Sequence, residues 1–181
     1  MNLESLPPFA AHDIFHVVIE SPRGSTLKLK YSTEWEAMGI SRPLPAGLVF
    51  PFDSGFVPST RNADADPVDV FVVWDVSSFP GVVLACRALG VLKIEQNAVN
   101  FDASRRIRND RVIALPIETR READWQTLDE IPERVRQEWI HFTIAAGALD
   151  GKDPTAVGWG GRDDALSLIR RAVKTNSTPR T

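Results

Sequence analysis

The apolar pattern changes period about two-thirds of the way along the chain, and that change limits the possible folds more than any other feature. Up to about residue 118, apolar residues come in short β-branched and aromatic runs cut by Gly, Pro and Asp. From Ile131 they recur every three or four positions. The first regime predicts strands and the second predicts amphipathic helix. "IFHVVIE" predicts a strand over 14–20 that ends at the turn cluster "SPRGST". "LKLKY" alternates strictly over 27–31, with Leu27, Leu29 and Tyr31 on one face and Lys28 and Lys30 on the other. Further strands are predicted over 69–74, 81–95 and 111–118. Beyond them, Val135, Trp139, Phe142, Ala146 and Leu149 form one face of a helix, with Asp129 or Thr127 to cap its start and Gly151 past its end. A second helix beginning near Asp163 places Leu166, Ile169 and Val173 on one side. The fold class is therefore mainly β with α: short strands in a small closed or partly open β-barrel with two helices packed against it.

Composition bounds the function. A length of 181 residues suits one domain over 1–181, with loose termini at 1–12 and 175–181. A net charge of −3 exerts no global pull on nucleic acid or acidic lipid, so neither is expected as a partner. The single cysteine, Cys86, has no internal disulfide partner and lies in a strand pattern, which suits a core position. No secretory-type leader and no apolar run of about 18 residues is visible, so the expected location is cytoplasmic and off the membrane. His12, His16 and His141 show no metal-ligand spacing, and "DSGF" around Ser54 lacks the spacing of a nucleophile elbow.

The chemistry concentrates in "DADPVDV". Asp64, Asp66 and Asp69 lie within six positions at the mouth of an apolar strand. Like charges crowd favourably around a hard divalent cation, and Mg²⁺ takes oxygen ligands shared with substrate phosphates. In extended chain Asp64 and Asp66 face the same way, and Pro67 breaks the register so that Asp69 can join them. The alternative is an Asp-rich turn satisfied by its own hydrogen bonds. A calcium-binding EF-hand loop fits poorly, since its central Gly is missing and "VFVVW" reads as strand. Upstream, Glu20, Lys30 and Arg42 supply a carboxylate and two cations that could oppose the cluster in an anion clamp.

Taken in order, "VVIESPRG", "LKYS", "SRPL", "FPFDSGFVPST", "DADPVDV", "PGVVLACRALGVLKIE" and "GW" resemble the soluble, family I inorganic pyrophosphatases, over most of the chain. The resemblance implies an OB-like five-stranded β-barrel with helices at its side, and a homo-oligomer in which His141 falls on an interface helix. It implies that Asp64 and Asp69 bind metal, and that Asp66 binds metal and helps deprotonate the attacking water. Glu20 borders the metal and phosphate site, while Lys30, Arg42 and Arg111 bind the small phosphate substrate. The implied cofactor is Mg²⁺, with Mn²⁺ as a substitute, and the implied reaction is hydrolysis of pyrophosphate to two phosphates by a metal-activated water.

The chain also departs from the family pattern. Ser32 stands where the family has Glu, Phe50 and Ser54 where it has two tyrosines, and Gln96 and Asn109 where it has aspartates. Arg111 replaces a lysine, and a Tyr-Lys pair after the long helix has no match unless Lys152 reaches in. The insertion "AVNFDASRRIRN" adds Asp102, Arg105, Arg106 and Arg108; Asp102 or Asp110 could restore a lost ligand, and the arginines could replace a lost lysine or form a solvated loop. Two further readings follow: a hydrolase for another phosphoanhydride such as a nucleotide, or a non-catalytic phosphate-binding or interaction protein.

Overall fold

The computed structural model describes residues 2–62, 65–98 and 105–173. Among these residues nine strands and two α-helices follow in order: β1 Ile14–Ser21, β2 Leu27–Ser32, β3 Ala37–Pro43, β4 Asp53–Val57, β5 Val68–Val72, β6 Val83–Asn97, β7 Arg106–Arg108, β8 Arg111–Pro116, α1 Glu133–Ala148, β9 Thr155–Gly160 and α2 Arg162–Ala172. All five predicted strands and both helices are present. Strands β3, β4, β7 and β9 were not foreseen. Their sequences are short, and β3 is exposed along most of its length, so it carries no apolar alternation to read.

Five strands close into a ring in the order β1, β4, β5, β8, β6 and back to β1. Within it β5 and β8 run parallel, while the other four pairings are antiparallel. Ring closure needs β6 to be long and bent, and register shifts at Ala88/Gly90 and Lys93/Ile94 let its far half leave the ring and pair with β7 and β9. Closure also needs β1 and β4 to lie very close. A methyl group on Gly55 would come within 2.0 Å of the Val18 carbonyl oxygen, so only glycine fits there.

Both faces of the central strands are buried, which explains their near-continuous apolar runs. One set of alternating residues, including Val17, Ile19, Val68, Val70, Val72, Val112 and Ala114, packs with Leu166 and Ile169 of α2. The opposite set, including Phe71, Val73, Ile113 and Leu115, packs with Trp139 and Phe142 of α1. Phe52, just before β4, stacks on Phe71 of β5 at a 3.9 Å centroid separation and meets Phe142 of α1 edge-on at 5.3 Å. Cys86 is fully buried in the first of these cores, as its strand setting suggested.

Several local expectations are corrected. Leu149 lies past α1 and is 80% exposed, because the helix ends at Ala148 before the residue can turn inward. Pro132 rather than Thr127 or Asp129 occupies the start of α1, and Thr127 instead precedes a separate 3₁₀ turn, Leu128–Glu130. Val173 follows α2 and bridges to Thr60. In the N-terminal segment Leu3 N–H donates to the Tyr31 hydroxyl at 3.1 Å, Ser59 N–H donates to the Glu4 carbonyl at 2.8 Å, and Phe9 bridges to Phe15.

The β2–β3 ribbon forms its own two-stranded sheet and carries part of the site. Two side chains of β1 hold it on the ring. Ser21 Oγ accepts from Leu29 N–H at 2.8 Å, and Glu20 Oε1 accepts from Tyr31 N–H at 2.8 Å. These acceptors satisfy the outward N–H groups of β2 that no strand pairs.

Candidate functional site

Strand alternation and register decide which side chains meet. In β5, Val68, Val70 and Val72 point into one core, so Asp69 falls on the face of Phe71. In β8, Phe71 is registered with Ile113, which sets Arg111 beside Asp69 two residues earlier. Arg111 Nη1 and Asp69 Oδ2 are 2.6 Å apart, and the guanidinium also donates to the Asn109 carbonyl at 2.8 Å. Alternation likewise separates Asn109 and Arg111 from Asp110.

Lys28 and Lys30 share a face of β2. Lys30 Nζ reaches Asp66 Oδ1 at 2.8 Å across the opening between the ribbon and the acidic loop. Burial pulls the Lys30 ammonium down, but its hydrogen bond to Asp66 and the charges of Asp66, Glu20 and Asp69 outweigh this, leaving its pKa raised. Lys28 is paired with Arg42 in the ribbon register. The Arg42 guanidinium is clamped by Asp150 Oδ2 at 2.6 Å and by the Ala146 carbonyl at the end of α1, also at 2.6 Å.

Two small adjoining cavities collect these groups. One, of about 80 Å³, is bordered by Arg42, Ser54, Gln96, Asp150 and Phe142 among others. The second, of about 40 Å³, is bordered by Lys30, Asp66, Pro67, Asn109 and Tyr31 among others. Glu20, Lys28, Asp69, Arg111 and Lys152 line both. Glu20 has its carboxyl pushed up to about 7, first by burial and then by Asp69, against the pull of the Tyr31 N–H, Lys28 and Lys30.

Of the residues singled out in the sequence, Glu20, Lys30, Arg42, Asp66, Asp69 and Arg111 thus border this pair of cavities. Asp64 and Asp102 lie outside the described residues. Among the described residues of the acidic stretch, Ala65 N–H donates to the Asn62 carbonyl at 3.0 Å and Asn62 N–H to the Asp66 carbonyl at 2.7 Å.

Other expectations fail. Asp110 faces away from the site, accepts from Ile94 N–H at 2.9 Å and pairs with Arg108 at 2.8 Å. The insertion's arginines do not supply a substitute cation among the described residues lining the cavities. Arg106 instead donates to the Glu95 carbonyl, the Asp153 carbonyl and Thr155, clipping β7 to the segment leading into β9. Lys152 does reach in. Lys28 and Asp150 also border the larger cavity, outside the set predicted from sequence. Lys28 was legible as the i−2 neighbour of Lys30, whereas Asp150 carried no sequence signal, because its role depends on where α1 ends.

The family model for inorganic pyrophosphatase matches residues 17–177. The inorganic pyrophosphatase of Thermus thermophilus is 36% identical over 176 residues, which cover 95% of this chain and 96% of that protein. The protein of the same name from Aquifex pyrophilus is 32% identical, with 96% of each chain covered. The crystal structure of the Thermus thermophilus enzyme superposes with a TM-score of 0.87 over 96% of this chain and 97% of its own, at 35% identity. The OB-like fold expected from the sequence is thus shared with solved members. With sequence and fold agreeing along nearly the whole chain, it belongs to the inorganic pyrophosphatase family, hydrolases that act on pyrophosphate.

Proposed function

We propose that the chain hydrolyses inorganic pyrophosphate to two phosphates by a water activated with Mg²⁺, for which Mn²⁺ can substitute. The observation that carries this reading is the convergence of Glu20, Asp66 and Asp69 on one cavity wall, with Lys30 and Arg111 among them. The donors are all carboxylate oxygens, which suits a hard dication. Asp64 joins Asp66, Asp69 and Glu20 in the proposed set on its place in the sequence pattern, and among the described residues no three His, Cys, Asp or Glu side chains stand close enough to hold an ion. A bound dication lowers the pKa of water and offsets phosphate charge. Asp66, which borders the smaller cavity, takes the water's proton. Lys30, Arg42 and Arg111 orient the phosphates and neutralise the charge that grows on the leaving group.

Asp66→Asn is expected to lower Mg²⁺-supported phosphate release by about 10²–10⁴-fold, the usual worth of a positioned general base. Wild-type release no faster than that of the variant overturns the reading, and faster turnover of a nucleotide than of pyrophosphate shifts the substrate.

The proposal extends to a single cytoplasmic domain that assembles as a homo-oligomer. The exposed side of α1 offers His141 and the 39%-exposed Ile144, and Leu149 lies just beyond at 80% exposure. Light scattering on the purified protein reads the assembly state. Among the described residues no helix is long and apolar enough to cross a membrane.

A further inference from the structure

Four cations ring the larger cavity, and they differ in how they are occupied. Arg42 is committed to Asp150 at 2.6 Å and Arg111 to Asp69 at 2.6 Å. Lys28 and Lys152 line the same two cavities, and among the described residues neither ammonium has a hydrogen-bond or ion-pair partner. Lys28 is held there by the ribbon register, opposite Arg42. Lys152 is held by its backbone, whose carbonyl accepts from Asn97 N–H at 2.7 Å. The wall between them is neutral where the family pattern has acids: Gln96 is 4% exposed and Asn109 3% exposed. A partly buried ammonium set mostly among other cations is costly until an anion meets it. Lys28 registers that cost: burial, Lys152, Arg111 and Arg42 pull its pKa down, and only Asp69 opposes them.

We propose that Lys28 and Lys152, backed by Arg42 and Arg111, form an anion seat that binds pyrophosphate or phosphate without a divalent cation. In this chain the seat does part of the charge neutralisation that carboxylate-held ions would otherwise do at the Gln96 and Asn109 positions. The proposal rests on the phosphoanhydride reading of the site. It adds two specificity-determining residues to that reading, and a binding step that precedes metal. Lysine suits the role, because its compact ammonium serves as a point charge to any phosphate oxygen.

The test is titration calorimetry with pyrophosphate and with inorganic phosphate in excess EDTA. Wild type is expected to bind pyrophosphate measurably, with affinity falling as KCl is raised because the contact is electrostatic. Lys28→Met and Lys152→Met each keep the aliphatic stem and are expected to weaken binding about tenfold, the scale of one charge-assisted hydrogen bond. The double variant should lose it. Melting curves establish that each variant is folded, and either single variant suffices if the other is not. Absence of binding in EDTA, or wild-type affinity in the folded double variant, overturns the seat. Mg²⁺-supported phosphate release by wild type, measured alongside, separates the two claims. Turnover without EDTA binding rejects the seat and leaves the hydrolase, while EDTA binding without turnover rejects the hydrolase and leaves the seat.

Discussion

Ala65 stands between Asp64 and Asp66 with φ at 69°, in the left-handed region that favours glycine. Its position is set by the turn that aims Asp66 at Lys30, so the strain belongs to the site. Ala65→Gly is expected to relieve it, stabilising the protein by about 1 kcal/mol in urea unfolding. An unchanged or lowered midpoint would show that the backbone relaxes instead. Glu20 makes the second prediction at this scale. Its carboxyl titrates near 7 in the folded protein against an ordinary value of 4.5. The folded state therefore keeps a proton that the unfolded state releases. The stability this group contributes is complete below pH 4.5 and is lost as pH rises through 7. In EDTA, wild type should thus lose stability relative to Glu20→Gln between these limits, by about 3 kcal/mol at most. A difference that stays flat with pH refutes the shift.

At the scale of elements, the β2–β3 ribbon matters most, because it carries Lys28, Lys30 and Arg42 yet shares no ladder with the ring. It is docked in part by Ser21 Oγ and Glu20 Oε1, which accept from adjacent outward N–H groups of β2. Ser21 is 1% exposed, so Ser21→Ala leaves the Leu29 N–H without its acceptor at a cost of about 1–3 kcal/mol. The expected result is faster amide exchange in β2 and β3 and a raised KM for pyrophosphate, with exchange in β5 and β8 unchanged. Uniform acceleration across the ring would mean that Ser21 supports the whole fold rather than the ribbon. At the other side of the site, the end of α1 fixes Arg42 through Ala146 and Asp150. The same cation thus joins the ribbon to the helix across the cleft.

For the molecule as a whole, metal and fold should be linked. A dication that binds only the folded chain stabilises it by mass action, about 2.7 kcal/mol at a hundred times the dissociation constant. In a chain of this size that raises Tm by roughly 5–10 °C. Asp69→Asn is expected to shrink this response, because Asp69 lines both cavities and opens the β5 face that leads into them. Melting that is independent of Mg²⁺ and Mn²⁺ in both proteins would reduce the acidic stretch to a turn.

The five apolar strands, both helices and the acidic stretch could be read from the chain because each is a local pattern: a period, a turn cluster, a run of like charges. Burial of both strand faces made the central strands conspicuous. Strands β3, β4, β7 and β9 escaped notice because they are short or exposed and are held by pairing with distant partners. The site divided along the same line. Lys30 and Asp66 were individually visible, but their meeting depends on the ribbon folding over the loop. Asp110 and Arg111 are neighbours in sequence, yet strand alternation sends only Arg111 to Asp69. Lys152 reaches the cavities from beyond the end of α1. Local composition sets which residues can carry charge and which segments extend or coil. Which charges end up facing one another follows from ring closure and register, and those depend on contacts between residues far apart in the chain.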